Sequence, residues 1–338
     1  LRVVGVTGTK GKTTTTHLIY HILTFAGKKA GLVSSLSAKI GEKEEDTGFN
    51  VTTPDVISLQ RFLAEMVEAR CEFAVLEVSS HGIDQGRVEG VDFEIGVLVN
   101  IAPEHLDYHK TFAEYKKVKM SFVDSAKSKV IGKEKSDSKF LPGEFNNINA
   151  DIAVKVAQKL GIDKAKAVEA VKEFVLPQGR LEEIKNDLGL RIVIDFAHTP
   201  DSLDAALSYL KSESEGRLIA LFGAAGQRDS SKRPGMGAAA AKYADTIILT
   251  AEDPRGEDVE NINKEISSGI KKGSVEVLSI PDREEAIFQT IKIAQKGDTV
   301  AFFGKGHEKS MNLDGSKELP WSEHKVIEKA VKYKKQNG

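Results

Sequence analysis

The stretch "GVTGTKGKTTTT", Gly5–Thr16, follows the apolar "LRVV" and decides how the rest of the chain is read. Within a dozen residues it holds three glycines, two lysines and a run of hydroxyls, and "TTHLIYHILTFAG" continues from it with helical spacing. A glycine-rich turn between a buried strand and a helix is the setting of a phosphate-binding loop. There the glycines let backbone amides approach phosphate oxygens, and the helix N-terminus adds partial positive charge. Gly8, Thr9, Lys10, Gly11, Lys12, Thr13 and Thr14 are the candidate nucleotide contacts. Lys12 is expected to reach the terminal phosphates, and the Thr13 hydroxyl to hold Mg²⁺. The general loop carries a glycine five residues before its Gly-Lys pair; here that position is Val6 and the nearest glycine is Gly8. The loop is therefore a variant, and the plainer alternative is a polar strand-to-helix connection.

Outward from this loop, short apolar runs alternate with amphipathic stretches. "FAVLEV", "IGVLVN", "RIVIDF", "LIALFG", "TIILT", "VEVLSI" and "TVAFFG" read as buried strands, and "VISLQRFLAEMVEA" and "DSLDAALSYL" as helices. The alternation predicts α/β architecture with largely parallel, doubly wound sheets, whose sites gather at the carboxyl ends of strands. Residues 126–147, polar and Lys-rich, read as a loop or a shrunken element. "LPQGR" at 176–180 reads as a linker, which predicts two domains, 1–177 and 178–338. The 338 residues allow two cores. With 48 basic against 50 acidic residues, no global field favours nucleic acid or an anionic membrane. A single cysteine, Cys71, excludes an intrachain disulfide and a zinc–cysteine cluster and fits a reducing cytoplasm. No apolar run approaches the ~20 residues of a membrane-spanning helix. The chain starts at Leu1 without Met, already inside a strand, as though trimmed.

Two strands end in polar clusters: "FAVLEVSSHGIDQGR" in Glu77, Ser79, Ser80 and His81, and "IGVLVNIAPEHLDYH" in Asn100, Glu104, His105 and Asp107. Single polar groups at strand ends are usually caps. Two such ends beside a phosphate loop make Glu77 and His105, with Thr13, candidate Mg²⁺ ligands. In "AEYKKVKMSF", composition alone makes Lys116, Lys117 and Lys119 solvated.

With these residues assembled, the chain resembles the Mur ligases, which use ATP to join an amino acid to a nucleotide-linked peptide, and most of all their MurE type. The resemblance rests on "GVTGTKGKTTT", "TTPD", "EVSSHGIDQGRV", "HLDYH" with "YKKVK", "GRLE", "DFAHTPDSL", "FGAAGQRDSSKRPGMG", "EDPRGED" and "GKGHE", in family order from residue 5 to residue 308. It implies a P-loop ATPase-like central domain and a Rossmann-like C-terminal ligase domain. It also implies a reaction in which ATP phosphorylates the acceptor carboxylate and an amine displaces phosphate through a tetrahedral intermediate. A phosphoryl transfer of this kind asks for positioning and charge neutralisation.

The resemblance implies a catalytic set of Lys12, Glu77, His105, Lys119 and His198, with Lys119 carbamylated as a ligand for a second Mg²⁺. It implies ATP contacts at Asn146, Arg180 and Asp195, and acceptor contacts at Thr52, Thr53, Ser79, Gln85 and Arg87. The implied amino-acid pocket is Arg233, Asp253, Arg255, Gly304 and Glu308. Arg255 resembles the diaminopimelate-type enzymes, because a guanidinium can hold the extra distal carboxylate. The alternative is that Arg255 only pairs with Glu257 or Asp258. The implied partners are small molecules, ATP, a diamino acid and a nucleotide-sugar peptide, around a cytoplasmic monomer with no nucleic-acid or membrane partner.

The chain departs from the family in three ways. The N-terminal domain that grips the UDP end of the acceptor is absent, and the segment from Lys119 to "LPGEF" is compressed. Glu104, Asp253 and Lys309-Ser310 stand where the family has Asp, Asn and Tyr-Gln. The competing functions are ligation onto another acceptor, such as a folate or poly-amino-acid chain, and an ATP-holding module that no longer ligates. A simple P-loop kinase or GTPase leaves the second α/β domain unexplained.

Overall fold

Val3, Val4 and Val6 are buried on both faces of β1 (Arg2–Thr7), as a strand in the middle of a covered parallel sheet must be. The computed structural model describes residues 1–47 and 52–337. The chain divides into two units, Leu1–Pro177 and Gln178–Gly338.

In the first unit β1 is followed by α1 (Lys12–Phe25), β2 (Ala30–Val33), β3 (Ala38–Ile40), β4 (Lys43–Glu45), α2 (Val56–Glu68), β5 (Phe73–Glu77) and α3 (Ser80–Asp84). Then come β6 (Phe93–Leu98), α4 (Leu106–His109), α5 (Phe112–Ser125), β7 (Ser128–Ile131), α6 (Glu144–Lys159) and α7 (Lys164–Lys172). The sheet order is β4-β3-β2-β5-β1-β6-β7. Its centre is parallel, while β3 and β4 add an antiparallel edge that the sequence patterning does not reveal. One core joins Val4, Val6 and Val97 to Leu18, Ile22 and Ile152, and a second joins Val3 and Leu76 to Phe62, Met66 and Phe122. Gly5 belongs to the second: a Cβ there would lie 2.4 Å from the Phe122 ring, so this glycine of the opening motif serves packing.

The segment 126–147 is more structured than its composition predicts. It contains the edge strand β7, in which only Val130 is fully buried, so no apolar run announces it. It also contains the first turn of α6, which buries Asn146 and Asn147 instead of apolar residues. The Asn147 amide is fully used: it accepts from the Phe140 and Leu141 amides at 2.7 and 2.9 Å and donates to the Leu141 and Gly143 carbonyls.

The second unit contains β8 (Glu182–Ile184), β9 (Arg191–Asp195), α8 (Pro200–Glu213), β10 (Leu218–Phe222), α9 (Lys232–Ala240), β11 (Thr246–Leu249) and α10 (Val259–Ser267). It continues with β12 (Glu276–Ser279), α11 (Arg283–Ile293), β13 (Thr299–Phe303), the small hairpin β14 (Ser310–Met311) and β15 (Leu319–Pro320), and α12 (Glu323–Asn337). The sheet order is β12-β11-β10-β13-β9-β8, parallel except for β8. Ile192, Ile194, Ile219, Leu221, Val300 and Phe302 pack on Ile287, Ile291 and Ile327. Among the described residues no helix is long and apolar enough to cross a membrane.

Candidate active site

In the first unit β1 lies between β5 and β6, so the ends of these three strands bring the phosphate-type loop, Glu77 and the 99–109 segment together. Gly11 is the N-cap of α1 with φ 77°, and no side chain caps this helix. Its first amides are thus open to an anion. A Cβ on Gly11 would meet the buried Asn149 Oδ1 at 2.5 Å, so only glycine fits the bend. Asn100 staples the loop: its Oδ1 accepts from the Lys10 amide at 2.9 Å and its Nδ2 donates to the Lys10 carbonyl at 3.1 Å. Thr9 Oγ1 lies 3.0 Å from the Tyr115 hydroxyl, Lys10 pairs with Glu104, and Lys12 Nζ donates to the Gly8 and Thr9 carbonyls at 3.1 Å. This is a backbone cradle with two cations, and its residues fit a polyphosphate.

Thr13 Oγ1 donates to Glu77 Oε1 at 3.0 Å, and Ser35 fixes Glu77 Oε2 through its amide at 2.9 Å and its hydroxyl at 3.1 Å. A buried carboxylate held beside a threonine hydroxyl at the mouth of the loop fits Mg²⁺, which binds through one or two carboxylates and shares substrate phosphates. Among the described residues no three His, Cys, Asp or Glu side chains converge on a metal. His105 sits at the start of α4 with φ 55°, its Nε2 4.0 Å from Glu104 Oε2. Desolvation, with Lys12, His81 and Lys10 adding to it and Glu104 opposing, pushes this imidazole below its ordinary range. Although the ring is 43% exposed, the imidazole is held neutral at pH 7.

Lys116 and Lys117 are exposed as composition predicts, but Lys119 is 1% exposed. It lies one helical turn beyond the buried Tyr115, on the same face of α5. Its Nζ donates to Thr7 Oγ1 at 3.2 Å and the Gly8 carbonyl at 3.0 Å. Burial, reinforced by Lys12, drives its pKa well below the usual lysine value against the pull of Glu104 and Glu77. The shift favours the neutral, nucleophilic amine over the ammonium.

The residues assigned to the acceptor form one hydrogen-bonded group, apart from the half-buried Thr52. Thr53 Oγ1 donates to the Glu77 carbonyl and lies 3.1 Å from Ser79 Oγ. Ser79 caps α3. Arg87 donates to the Thr53 carbonyl at 2.7 Å and to Gln85 Oε1 at 2.6 and 2.9 Å. Asn146 is buried in α6, where its amide donates to the Pro142 carbonyl at 2.8 Å.

In the second unit Arg180 stacks 4.7 Å from the Phe196 ring centroid and lies 3.2 Å from His307 Nδ1. Both oxygens of the buried Asp195 are taken by backbone amides, of Leu181 at 2.7 Å and Ala197 at 2.8 Å. Burial raises its pKa and Arg180 opposes. Asp195 thus ties together the segments that carry Arg180 and His198. His198 Nδ1 lies 2.9 Å from the Phe196 carbonyl.

At the ends of β11 and β13 lies a knot of charge. Lys305, fully buried, donates to Asp253 Oδ1 at 2.8 Å and pairs with Glu308 at 2.5 Å. Burial alone would lower its pKa, but Glu308, Asp253 and Glu252 outweigh this and raise it. Asp253 also accepts from the Asn312 amide and pairs with Arg255 Nη2 at 3.2 Å. Arg255, with φ 50°, keeps a buried Nη1 with no hydrogen-bond partner among the described residues. Gly304, with φ 100°, leaves room for Glu252, whose Cγ would stand 3.2 Å from a Cβ there. Glu257 pairs with Arg233, not with Arg255, and Glu265 shares that guanidinium. Arg233, 1% exposed, gives both Nη nitrogens to carboxylates and the Ala225 carbonyl and leaves only its Nε without a partner among the described residues, while Arg255 gives Nη2 to Asp253 and leaves Nη1 without one. Ser35 and Lys305, whose roles come from bonds to residues distant in sequence, and Asn149, which packs against Gly11, carry no local mark in the sequence.

Burial raises the Glu308 carboxyl to about 7, with Lys305 opposing and Glu252 assisting. The folded chain thus binds this proton more tightly than the unfolded chain, whose value is 4.5. Its contribution to stability is complete below pH 4.5 and is lost as pH rises through 7. Glu308→Gln is expected to gain stability relative to the parent between pH 5 and 8, by on the order of 3 kcal/mol at most. Thermal melts at the two pH values check this, and equal shifts in both proteins would refute it.

The family model of the Mur ligase middle domain matches residues 6–185, and that of the Mur ligase glutamate ligase domain matches residues 179–306. The chain is 37% identical to the UDP-N-acetylmuramoyl-L-alanyl-D-glutamate–2,6-diaminopimelate ligase of Aquifex aeolicus, covering 98% of this chain and 77% of that one. Against the ligase of the same name from Clostridioides difficile the identity is 35%, over 90% of this chain and 74% of the other. A solved structure of such a ligase superposes with a TM-score of 0.63 at 30% identity, covering 99% of this chain and 79% of that one. Escherichia coli FolC, with DHPP and ADP, shares the fold at a TM-score of 0.70 and 17% identity, over 100% of this chain and 89% of its own. By these matches along both units, the chain belongs to the Mur ligase family of ATP-dependent, amide-forming enzymes.

Proposed function

We propose that this chain joins meso-diaminopimelate to UDP-N-acetylmuramoyl-L-alanyl-D-glutamate at the expense of ATP. An oxygen of the acceptor carboxylate attacks the terminal phosphorus and ADP leaves. The amine then attacks the acyl carbon, and phosphate departs as the amide forms and the nitrogen loses its proton. Lys12 and the α1 amides hold the phosphates, and Thr53, Ser79, Gln85 and Arg87 orient the acceptor. Thr13, Glu77, His105 and a carbamylated Lys119 would hold Mg²⁺, which when bound neutralises phosphate charge. Arg180, Asn146 and His198 serve ATP, and Asp195 positions the segments that carry Arg180 and His198.

The observation that carries the choice of amino acid is Arg255 Nη1, buried and unpartnered at the edge of a charge knot. A buried donor without an acceptor is costly unless a ligand supplies one, and the distal carboxylate of a diamino acid does so. Asp253 and Lys305 hold the Arg255 side, while Glu308 and Glu252 offer oxygens to an ammonium. The test is phosphate release with ATP, Mg²⁺ and the UDP-linked dipeptide, comparing meso-diaminopimelate with L-lysine. Release with diaminopimelate alone, and a product heavier by that residue, is expected. Equal use of L-lysine would refute the role of Arg255. Silence with both, while ATP binds, would mean a different acceptor.

A further inference from the structure

Arg283 and Glu323 form an ion pair that is buried on both sides, each side chain 1% exposed. Charges are rarely placed so deep without a reason, since removing them from water costs more than their attraction commonly returns. Arg283 opens α11 and Glu323 opens α12. Its Nε donates to Glu323 Oε2 at 3.0 Å and its Nη2 to Glu323 Oε1 at 2.6 Å. Trp321 Nε1 adds a bond to Glu323 Oε2 at 2.9 Å, which fixes the carboxylate from a second direction.

Two further donors of the guanidinium go to two strand ends. Nη1 donates to the Ala251 carbonyl at 2.9 Å and Nη2 to the Phe303 carbonyl at 2.8 Å. Ala251 directly precedes Glu252-Asp253-Pro254-Arg255, and Phe303 directly precedes Gly304-Lys305. These are the two turns whose side chains meet in the 2.8 Å bond from Lys305 to Asp253. They leave β11 and β13, which are not neighbours in the sheet, since β10 lies between them. No ladder hydrogen bond joins them directly: β10 pairs with each as far as Leu249 and Phe302, and beyond those pairs the planar fork of one arginine spans the gap.

We infer that Arg283, held by Glu323 and Trp321, is a positioning residue for the amino-acid pocket, fixing the distance between the Arg255 turn and the Lys305 turn. The inference rests on the pocket assignment made above. The guanidinium touches no substrate. It works through the Ala251 and Phe303 carbonyls, so its loss loosens the pocket and leaves the phosphate loop of the other unit as it was.

The test is steady-state kinetics of three variants in which each substrate is varied in turn, with thermal melts alongside. Arg283→Lys keeps the buried charge and its partner but cannot bridge both carbonyls. Trp321→Phe keeps the ring and removes one donor to Glu323. Arg283→Met with Glu323→Leu replaces the pair by apolar groups of similar volume, a change that commonly preserves stability. The expected result is a KM for the diamino acid raised ~10–100-fold in Arg283→Lys and in the double variant, the size of effect of losing one hydrogen bond to a charged group. Trp321→Phe is expected to show a smaller rise in the same direction. KM for ATP and for the acceptor stay within about twofold, kcat changes less than KM, and the KM effect does not track the melting temperature. A diamino-acid KM equal to the parent's in Arg283→Lys, or one that moves together with KM for ATP, would overturn the inference. If the unmodified chain fails to use diaminopimelate at all, the fault lies with the pocket assignment and not with the clamp. In that case the same split is read on whichever amino acid the parent does use.

Discussion

Lys119→Ala is expected to lower kcat by about 10²–10³-fold, the range that follows loss of one preorganised electrostatic group. The structure makes this lysine a poor surface residue and a good nucleophile. It is buried beneath the phosphate loop, bonded to Thr7 and Gly8, and its pKa is pushed well down by burial and by Lys12. Addition of carbon dioxide forms an N–C bond, releases the proton and turns a neutral amine into an anion. Only the neutral amine can make that attack, so the downward shift favours the reaction and protonation by acid opposes it. Two readouts separate a carbamate from a merely structural lysine. The first is a carbamate carbon signal after equilibration with labelled bicarbonate, present in the parent and absent in Lys119→Ala. The second is partial rescue of Lys119→Ala by a short carboxylate such as acetate. A parent without the signal, together with a variant within threefold of parental kcat, would sink the proposal.

Arg255→Ala is expected to raise KM for meso-diaminopimelate by about 10²–10³-fold, the effect of removing one partner of a buried charge pair. KM for ATP should stay within twofold. The backbone at Arg255 sits at φ 50° and is pinned by its own amide, which donates to the Asn312 carbonyl, and by Gln227, which donates to its carbonyl at 2.7 Å. Alanine inherits that conformation, so the change reads the guanidinium and not the turn. Arg255→Lys should recover only part of the loss, because an ammonium cannot serve Asp253 and a substrate carboxylate with a fork. Any residual activity with L-lysine should be indifferent to both changes. A rise in KM confined to ATP, or none, would count against a distal-carboxylate site.

Much of this was legible in the sequence, for reasons that differ by element. The parallel strands were visible because strands covered on both faces are continuous apolar runs, and "FAVLE" and "LIALF" are buried at every position. β7 escaped because an edge strand needs only one buried residue, and the start of α6 escaped because asparagines bonded to a turn replace its apolar face. In the site, chemistry that depends on local order was readable: the phosphate loop, Thr13, and the strand-end Glu77. Residues whose role depends on a distant partner were not. Asn149 is defined by Gly11, Ser35 by Glu77, and Lys305 by Asp253. Lys119 shows both sides. Its composition reads as solvent, and only its place one turn past Tyr115 puts it inside.

The place of β1 has a consequence for how the first unit is assembled. Its partners are β5 and β6, in registers such as Val3 with Ala74 and Gly5 with Gly96, so about 70 to 90 residues of chain must be made before either edge is covered. During synthesis an apolar strand with two open edges waits, and such an edge invites pairing with other chains. Closure of long loops is slow. The phosphate cradle hangs from the end of that strand and is braced by Asn100 beyond β6. Nucleotide capture by this loop therefore waits until β6 and Asn100 have been made.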